Sequence, residues 1–158
     1  MNIDKHALHQ LIEAELNAQL TRAKFAASQA YETATHEENK AENKYDTLGL
    51  EAAYLAEGQS KRVQSLEQEL SAFQQLEIKH FDNDTDITIG ALVHLKSEQE
   101  ADKYLFISPV SGGSFVSYQS QTIMLITPSS PLGKNLKNKL VDDEFSLNQD
   151  HYTIMSVY

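Results

Sequence analysis

The stretch Leu8-His9-Gln10-Leu11-Ile12-Glu13-Ala14-Glu15-Leu16-Asn17-Ala18-Gln19-Leu20 sets leucine or isoleucine at 8, 12, 16 and 20. Steps of four keep those side chains on one side of an α-helix, and Ala23, Ala27, Ala30 and Ala34 carry the same stripe onward at steps of three and four. A second stripe follows at Ala52, Ala56, Gln59, Val63, Leu66, Leu70 and Phe73, with the alternating steps of a heptad seam. The two mirror each other about residue 42, with large residues at the far ends and alanines near the middle. An antiparallel hairpin matches wide with wide and narrow with narrow. At 1.5 Å of rise per residue, arms of this length predict a rod on the order of 50 Å, thin at its tip, about residues 36–46.

Outward from the hairpin, the chain of 158 residues changes character near residue 80. Residues 1–80 contain two glycines and no proline, whereas 81–158 hold four glycines and all three prolines. Phe81-Asp82-Asn83-Asp84-Thr85-Asp86 reads as a polar linker. As an EF-hand loop it fails, because the sixth residue from Asp82 is Ile87 rather than Gly and the twelfth is Val93 rather than Glu. Runs rich in β-branched and aromatic residues then predict strands at 87–95, 104–108, 115–118, 123–127, 144–147 and 152–157. Gly112-Gly113 reads as a hairpin turn, since no Lys-Ser/Thr follows to make a phosphate loop. Ser130 as N-cap and Pro131 at the first helical position open a short helix over 131–140, with Leu132, Leu136 and Leu140 on one side. The expected domains are 1–80, the hairpin, and 81–158, a small antiparallel sheet covered by this helix. The fold class is α+β.

Composition narrows the function. Thirteen basic residues against 23 acidic ones give a formal charge of −10, shared by both halves. Phosphate binding draws on clustered Lys and Arg, so no direct sequence-specific nucleic-acid ligand is expected. The chain has no cysteine, which excludes a disulfide framework, a cysteine-ligated zinc and a thiol nucleophile. No basic segment leads into an apolar run at the N-terminus and no stretch approaches membrane-spanning length, so a soluble, cytoplasmic protein without membrane contact is expected. His6 and His9 are spaced as a metal pair could be, but with only Asp4 near them they read as surface residues of a fraying first turn, and His36 reads as surface too.

The tip carries the chemistry. Glu37, Glu38, Glu42 and Asp46 place four carboxylates within ten residues, and Glu38, Glu42 and Asp46 share one helical face at steps of four. Lys40 and Lys44 fall between them, so a solvated, salt-bridged surface is the plain alternative. A thin rod ending in carboxylates also suits delivery of oxygen ligands to a divalent cation inside a narrow opening.

Ile126-Thr127-Pro128-Ser129-Ser130-Pro131-Leu132-Gly133-Lys134, followed by Asp143-Glu144, resembles the strand-to-helix segment and acidic turn of the bacterial Gre family of transcription elongation factors. Ile87-Thr88-Ile89-Gly90-Ala91-Leu92-Val93 is similar to that family's opening strand, Tyr152-Thr153-Ile154 to its closing strand, and Ala41-Glu42-Asn43 to its tip turn. Asn138 and Asp142 stand where the family has glycines. The resemblance spans nearly the whole chain. It implies a coiled-coil hairpin joined to an FKBP-like domain, RNA polymerase as partner, and a tip inserted through the polymerase secondary channel. There the tip acids help hold a Mg²⁺ of the polymerase and activate water for cleavage of backtracked RNA. The protein would have no cofactor of its own, act as a monomer, and be an activator of cleavage rather than an enzyme.

On this alignment Glu42 and Glu38 are the expected metal ligands and Asp46 a further tip acid. Asn39 stands at the position of the family's essential aspartate. A neutral amide supplies no anionic oxygen, so a regulator that occupies the channel without promoting cleavage is the alternative within the family. Outside it stand a structural or chaperone coiled coil and, for the FKBP-like domain, prolyl isomerisation. The last needs an aromatic pocket floored by Trp, which this chain lacks, and Tyr104, Phe106, Phe115 and Tyr118 are expected as core or sheet-surface residues.

Overall fold

The structure is a computed structural model that describes residues 3–36 and 47–158. In chain order it comprises α1 (Lys5–Thr35), α2 (Leu48–Gln74), β1 (Leu92–Ser97), β2 (Lys103–Ile107), β3 (Phe115–Tyr118), β4 (Gln121–Ile126), α3 (Pro131–Leu136), β5 (Glu144–Leu147) and β6 (Asp150–Val157). Compactness divides it into two units. One groups the residues up to Glu13 with Ala72–Tyr158; the other is Ala14–Ser71. The boundary expected at residue 80 marks where the composition changes, whereas compactness assigns the start of α1 and the end of α2 to the sheet.

In the unit Ala14–Ser71, α1 and α2 pack as the antiparallel hairpin expected from the stripes. Leu16, Leu20, Ala30 and Leu66 are buried and Ala23, Ala27, Ala52, Ala56 and Val63 half-buried. The ion pair Lys24–Glu67, at 2.8 Å, crosses between the helices. Both its partners are exposed, so cohesion comes from the seam.

In the other unit, Asp4 caps α1, its Oδ1 accepting from the Ala7 N–H at 3.0 Å. The six strands form one sheet in the order β3-β4-β2-β1-β6-β5. All neighbours pair antiparallel except β2 and β4, which run parallel in register Tyr104↔Ile123 to Ile107↔Ile126. The sheet is therefore mixed and not antiparallel throughout as expected. Gly112-Gly113 is correspondingly not a hairpin turn. It lies in the 108–114 connection that carries the chain past β4, so that β3 pairs on β4's far side, and the Gly113 N–H donates to the Leu125 carbonyl at 2.8 Å.

One sheet face is closed by Ile87, Val93, Leu95, Ile107, Ile126, Leu136 and Ile154. On the other, Phe106 is fully buried, and the rings of His9 and Phe73 lie 5.5 and 6.2 Å from its own. The first strand starts later than expected. Gly90, at φ +95°, turns the chain ahead of β1, and Ile87 instead exchanges backbone hydrogen bonds with Asn138 and Lys139. Among the described residues no helix is long and apolar enough to cross a membrane.

Helix α3 ends at Leu136, not at 140. Lys137 leaves helical geometry and Asn138 takes φ +58°. Asp142 takes φ +69°. Both positions thus adopt the left-handed conformation that glycine enters most easily and that Asn and Asp tolerate better than other side chains.

Candidate functional site

The tip residues Glu38, Asn39, Glu42 and Asp46 lie outside the described residues. Their flanks are described: α1 runs to Thr35, His36 is exposed as expected, and α2 begins at Leu48, with the Glu51 N–H donating to the Thr47 carbonyl at 2.9 Å. Among the described residues no three His, Cys, Asp or Glu side chains converge as metal ligands would. The Asp82 carboxylate is occupied within its own turn by the Asp84 N–H and the Thr85 hydroxyl, as a linker turn would have it.

The sheet unit presents a cleft of about 530 Å³ between segment 87–89, Ile107, Pro128 and α3. Local chemistry builds its wall. Ser130 Oγ accepts from the Gly133 N–H at 3.1 Å and donates to the Thr127 carbonyl at 2.8 Å, tying the helix start to the end of β4. Gly133 is required there, because a Cβ would lie 2.1 Å from the Thr127 carbonyl oxygen and 3.0 Å from Pro128 Cα. That close approach lets Leu136 seat in the core while Lys134 and Lys137 line the cleft. The lining combines isoleucines and proline with two lysines and no acid, in a chain of charge −10. It fits an apolar anchor carried on an acidic partner surface. Leu132 and Leu140, expected in the core with Leu136, are only half-buried.

Aromatics do not form this cleft. Phe106 is buried on the opposite sheet face, Tyr104 stacks on His94 at 4.5 Å, the Tyr118 hydroxyl accepts from the Asp4 N–H at 3.0 Å, and Phe115 is exposed. These are the core and sheet-surface places expected for them.

His9 corrects the sequence reading. It is buried between Phe73 and Phe106, and its Nε2 meets no hydrogen-bond partner among the described residues. Burial, then the charges of Lys5 and His6, hold its pKa down at about 4. The signal was present, since His9, Ile12 and Leu16 step by three and four along one helical face. Beside it, Lys5 is buried as well. Its Nζ donates to the carbonyls of Gly90 at 2.5 Å and Tyr158 at 2.7 Å and lies 4.9 Å from the Phe81 ring centre, and burial lowers its pKa to about 8. His6 stays exposed. Both buried groups secure the start of α1 within the sheet unit.

No family model and no curated protein matches the chain. Among solved structures, the chain is similar to GreA factor homolog 1 of Thermus thermophilus, at 23% identity and TM-score 0.37, covering 92% of this chain and 94% of that one. A second structure of the transcription factor Gfh1 gives 22% identity and TM-score 0.36 over 92% of each chain. Gfh1 of Thermus aquaticus gives 21% and 0.37 over the same shares.

Proposed function

We propose that this protein is a cytoplasmic transcription elongation factor of the Gre type that binds RNA polymerase as a monomer. The observation that carries the reading is a two-helix hairpin whose connecting segment holds Glu37, Glu38, Glu42 and Asp46, on the same chain as a sheet unit with a cationic, apolar cleft. The cleft anchors the factor on the polymerase, because apolar pockets supply binding energy that an exposed rod lacks. The hairpin enters the secondary channel. Glu42 and Glu38, with Asp46, face the catalytic centre and offer carboxylate oxygens to a Mg²⁺ that belongs to the polymerase, so the protein lends ligands without being an enzyme itself.

Asn39 favours a second form of the same reading, in which the factor occupies the channel and modulates elongation without promoting cleavage. The deciding experiment is RNA cleavage by stalled, backtracked polymerase with and without the protein. Glu42→Ala is expected to abolish the protein's effect on catalysis while leaving polymerase affinity within about twofold, since the cleft of the sheet unit supplies the anchoring. Asn39→Asp is expected to raise cleavage several-fold at limiting Mg²⁺. Unchanged activity of Glu42→Ala would reduce the hairpin to a structural spacer.

A further inference from the structure

The cleft beside α3 holds two lysines that no acid of the chain meets. Neither Lys134 nor Lys137 forms an ion pair among the described residues, whereas Arg22, Lys24, Lys61, Arg62 and Lys103 each pair with a glutamate. Both are exposed, and a spacing of three sets them along one side of α3 and its C-cap. Of the rest of the lining, Ile87 and Ile107 are buried and Ile89 and Pro128 half-buried. The cavity is therefore apolar over most of its surface and cationic along α3.

Backbone bonds fix its shape before anything enters. Past the C-terminal end of α3, Ile87 accepts from the Asn138 N–H at 3.3 Å and donates to the Lys139 carbonyl at 3.0 Å. At the start of α3, Ser130 ties the helix to Thr127. A pre-formed cavity of about 530 Å³, mostly apolar with a few polar groups, has the size and make-up of a small-molecule site. Its lining selects among small anions. No aromatic ring lines it, so nothing stacks a nucleotide base. Three isoleucines and a proline favour a methylene chain, and two ammonium groups favour an anionic end.

We propose that the cleft binds a free amphipathic anion, an aliphatic chain ending in a carboxylate, and that the protein so loaded no longer anchors on polymerase. The first statement stands on the cleft alone. The second rests on the proposed function, which seats polymerase in the same place. Together they make the cleft a regulatory site, at which the concentration of a small metabolite of this class sets how much of the factor polymerase can recruit.

The test titrates octanoate into the full chain and follows the backbone amides by nuclear magnetic resonance. A single equivalent is expected to bind and to shift residues 87–89, 107 and 134–138. Butyrate, which keeps the charge, and octanol, which keeps the chain, should each bind at least about tenfold more weakly. Lys134→Gln with Lys137→Gln should weaken octanoate by about tenfold too. Lys96, likewise exposed and unpaired but outside the cleft, is the control, and Lys96→Gln should leave the dissociation constant unchanged. Equal binding of octanol and octanoate, shifts scattered over the molecule, or affinity unmoved by the paired substitution would overturn the anion site. Saturating octanoate is then expected to release the unsubstituted chain from bacterial core RNA polymerase. Retention on polymerase with the cleft filled would overturn the exclusion and move the polymerase anchor elsewhere, while a chain that binds no polymerase at all would remove the proposed function and leave the anion site standing.

Discussion

His9 shows how one buried group ties this fold to pH. Its pKa of about 4 lies below the ordinary histidine value of about 6.5, so between those values the unfolded chain binds a proton there that the folded chain refuses. Stability therefore rises with pH across that window, and on the order of 3 kcal/mol is lost as pH falls through it. The groups facing His9 reinforce the sign, since both Lys5 and His6 oppose a positive charge at that position. His9→Leu removes the titrating ring and the unpartnered Nε2 together. It is expected to flatten the acid limb between pH 6.5 and 4 and to raise stability at pH 7 by about 1 kcal/mol, read from urea denaturation across pH. An unchanged slope would assign the acid loss to other groups. The residue types at 5 and 9 argue against the burial that the spacing of His9 with Ile12 and Leu16 suggests, because a lysine or histidine in the first turns of a helix is ordinarily solvated. What buries them is the sheet face around Phe106, a contact about a hundred residues away in the chain.

At the scale of elements, periodicity was a reliable guide where one face of a helix packs against one partner. The hairpin stripes hold from Leu16 to Ala30 and from Ala52 to Leu66, as burial along both helices confirms. Helix α3 was legible at its start, where Ser130 and Pro131 leave little choice, and not at its end. The Leu132, Leu136, Leu140 spacing continues past the point where Asn138 turns left-handed and segment 138–139 pairs with Ile87. A local pattern extends a helix, and a tertiary pairing stops it. The same element carries a sharp prediction. Gly133→Ala would force a Cβ against two backbone atoms that cannot yield cheaply, so a loss of about 3 kcal/mol is expected, measured by thermal or chemical denaturation. Because Lys134 and Lys137 depend on this helix for their position, the proposed binding to polymerase should weaken with it.

For the whole molecule, grouping the start of α1 and the end of α2 with the sheet changes what a truncation removes. A fragment beginning at residue 81 lacks Lys5, His9 and Phe73, and so uncovers the face on which Phe106 is buried. Residues 81–158 alone are expected to melt at a markedly lower temperature than the sheet unit of the full chain and to bind hydrophobic dyes. Equal melting temperatures by circular dichroism would show that the strands and α3 suffice. Binding tests of the C-terminal half are accordingly better made by substituting Lys134 and Lys137 in the full chain than by truncation.

Sequence alone determined the two-helix hairpin, the six strand segments, the N-cap of α3 and the acid-rich connection, because each follows from local spacing: 3.6-residue periodicity, β-branched runs, a Ser-Pro pair, carboxylates four apart. The tertiary structure alone decided that β4 lies parallel beside β2 with β3 outside it, that α3 stops at Leu136, and that Lys5 and His9 pack around Phe106. It also decided that five large apolar side chains of the two helices stay in solvent. Strand order and burial are set by which surfaces meet after distant segments pack. A residue's neighbours in the chain carry little record of that, because many pairings bury similar apolar area and only the assembled core selects among them.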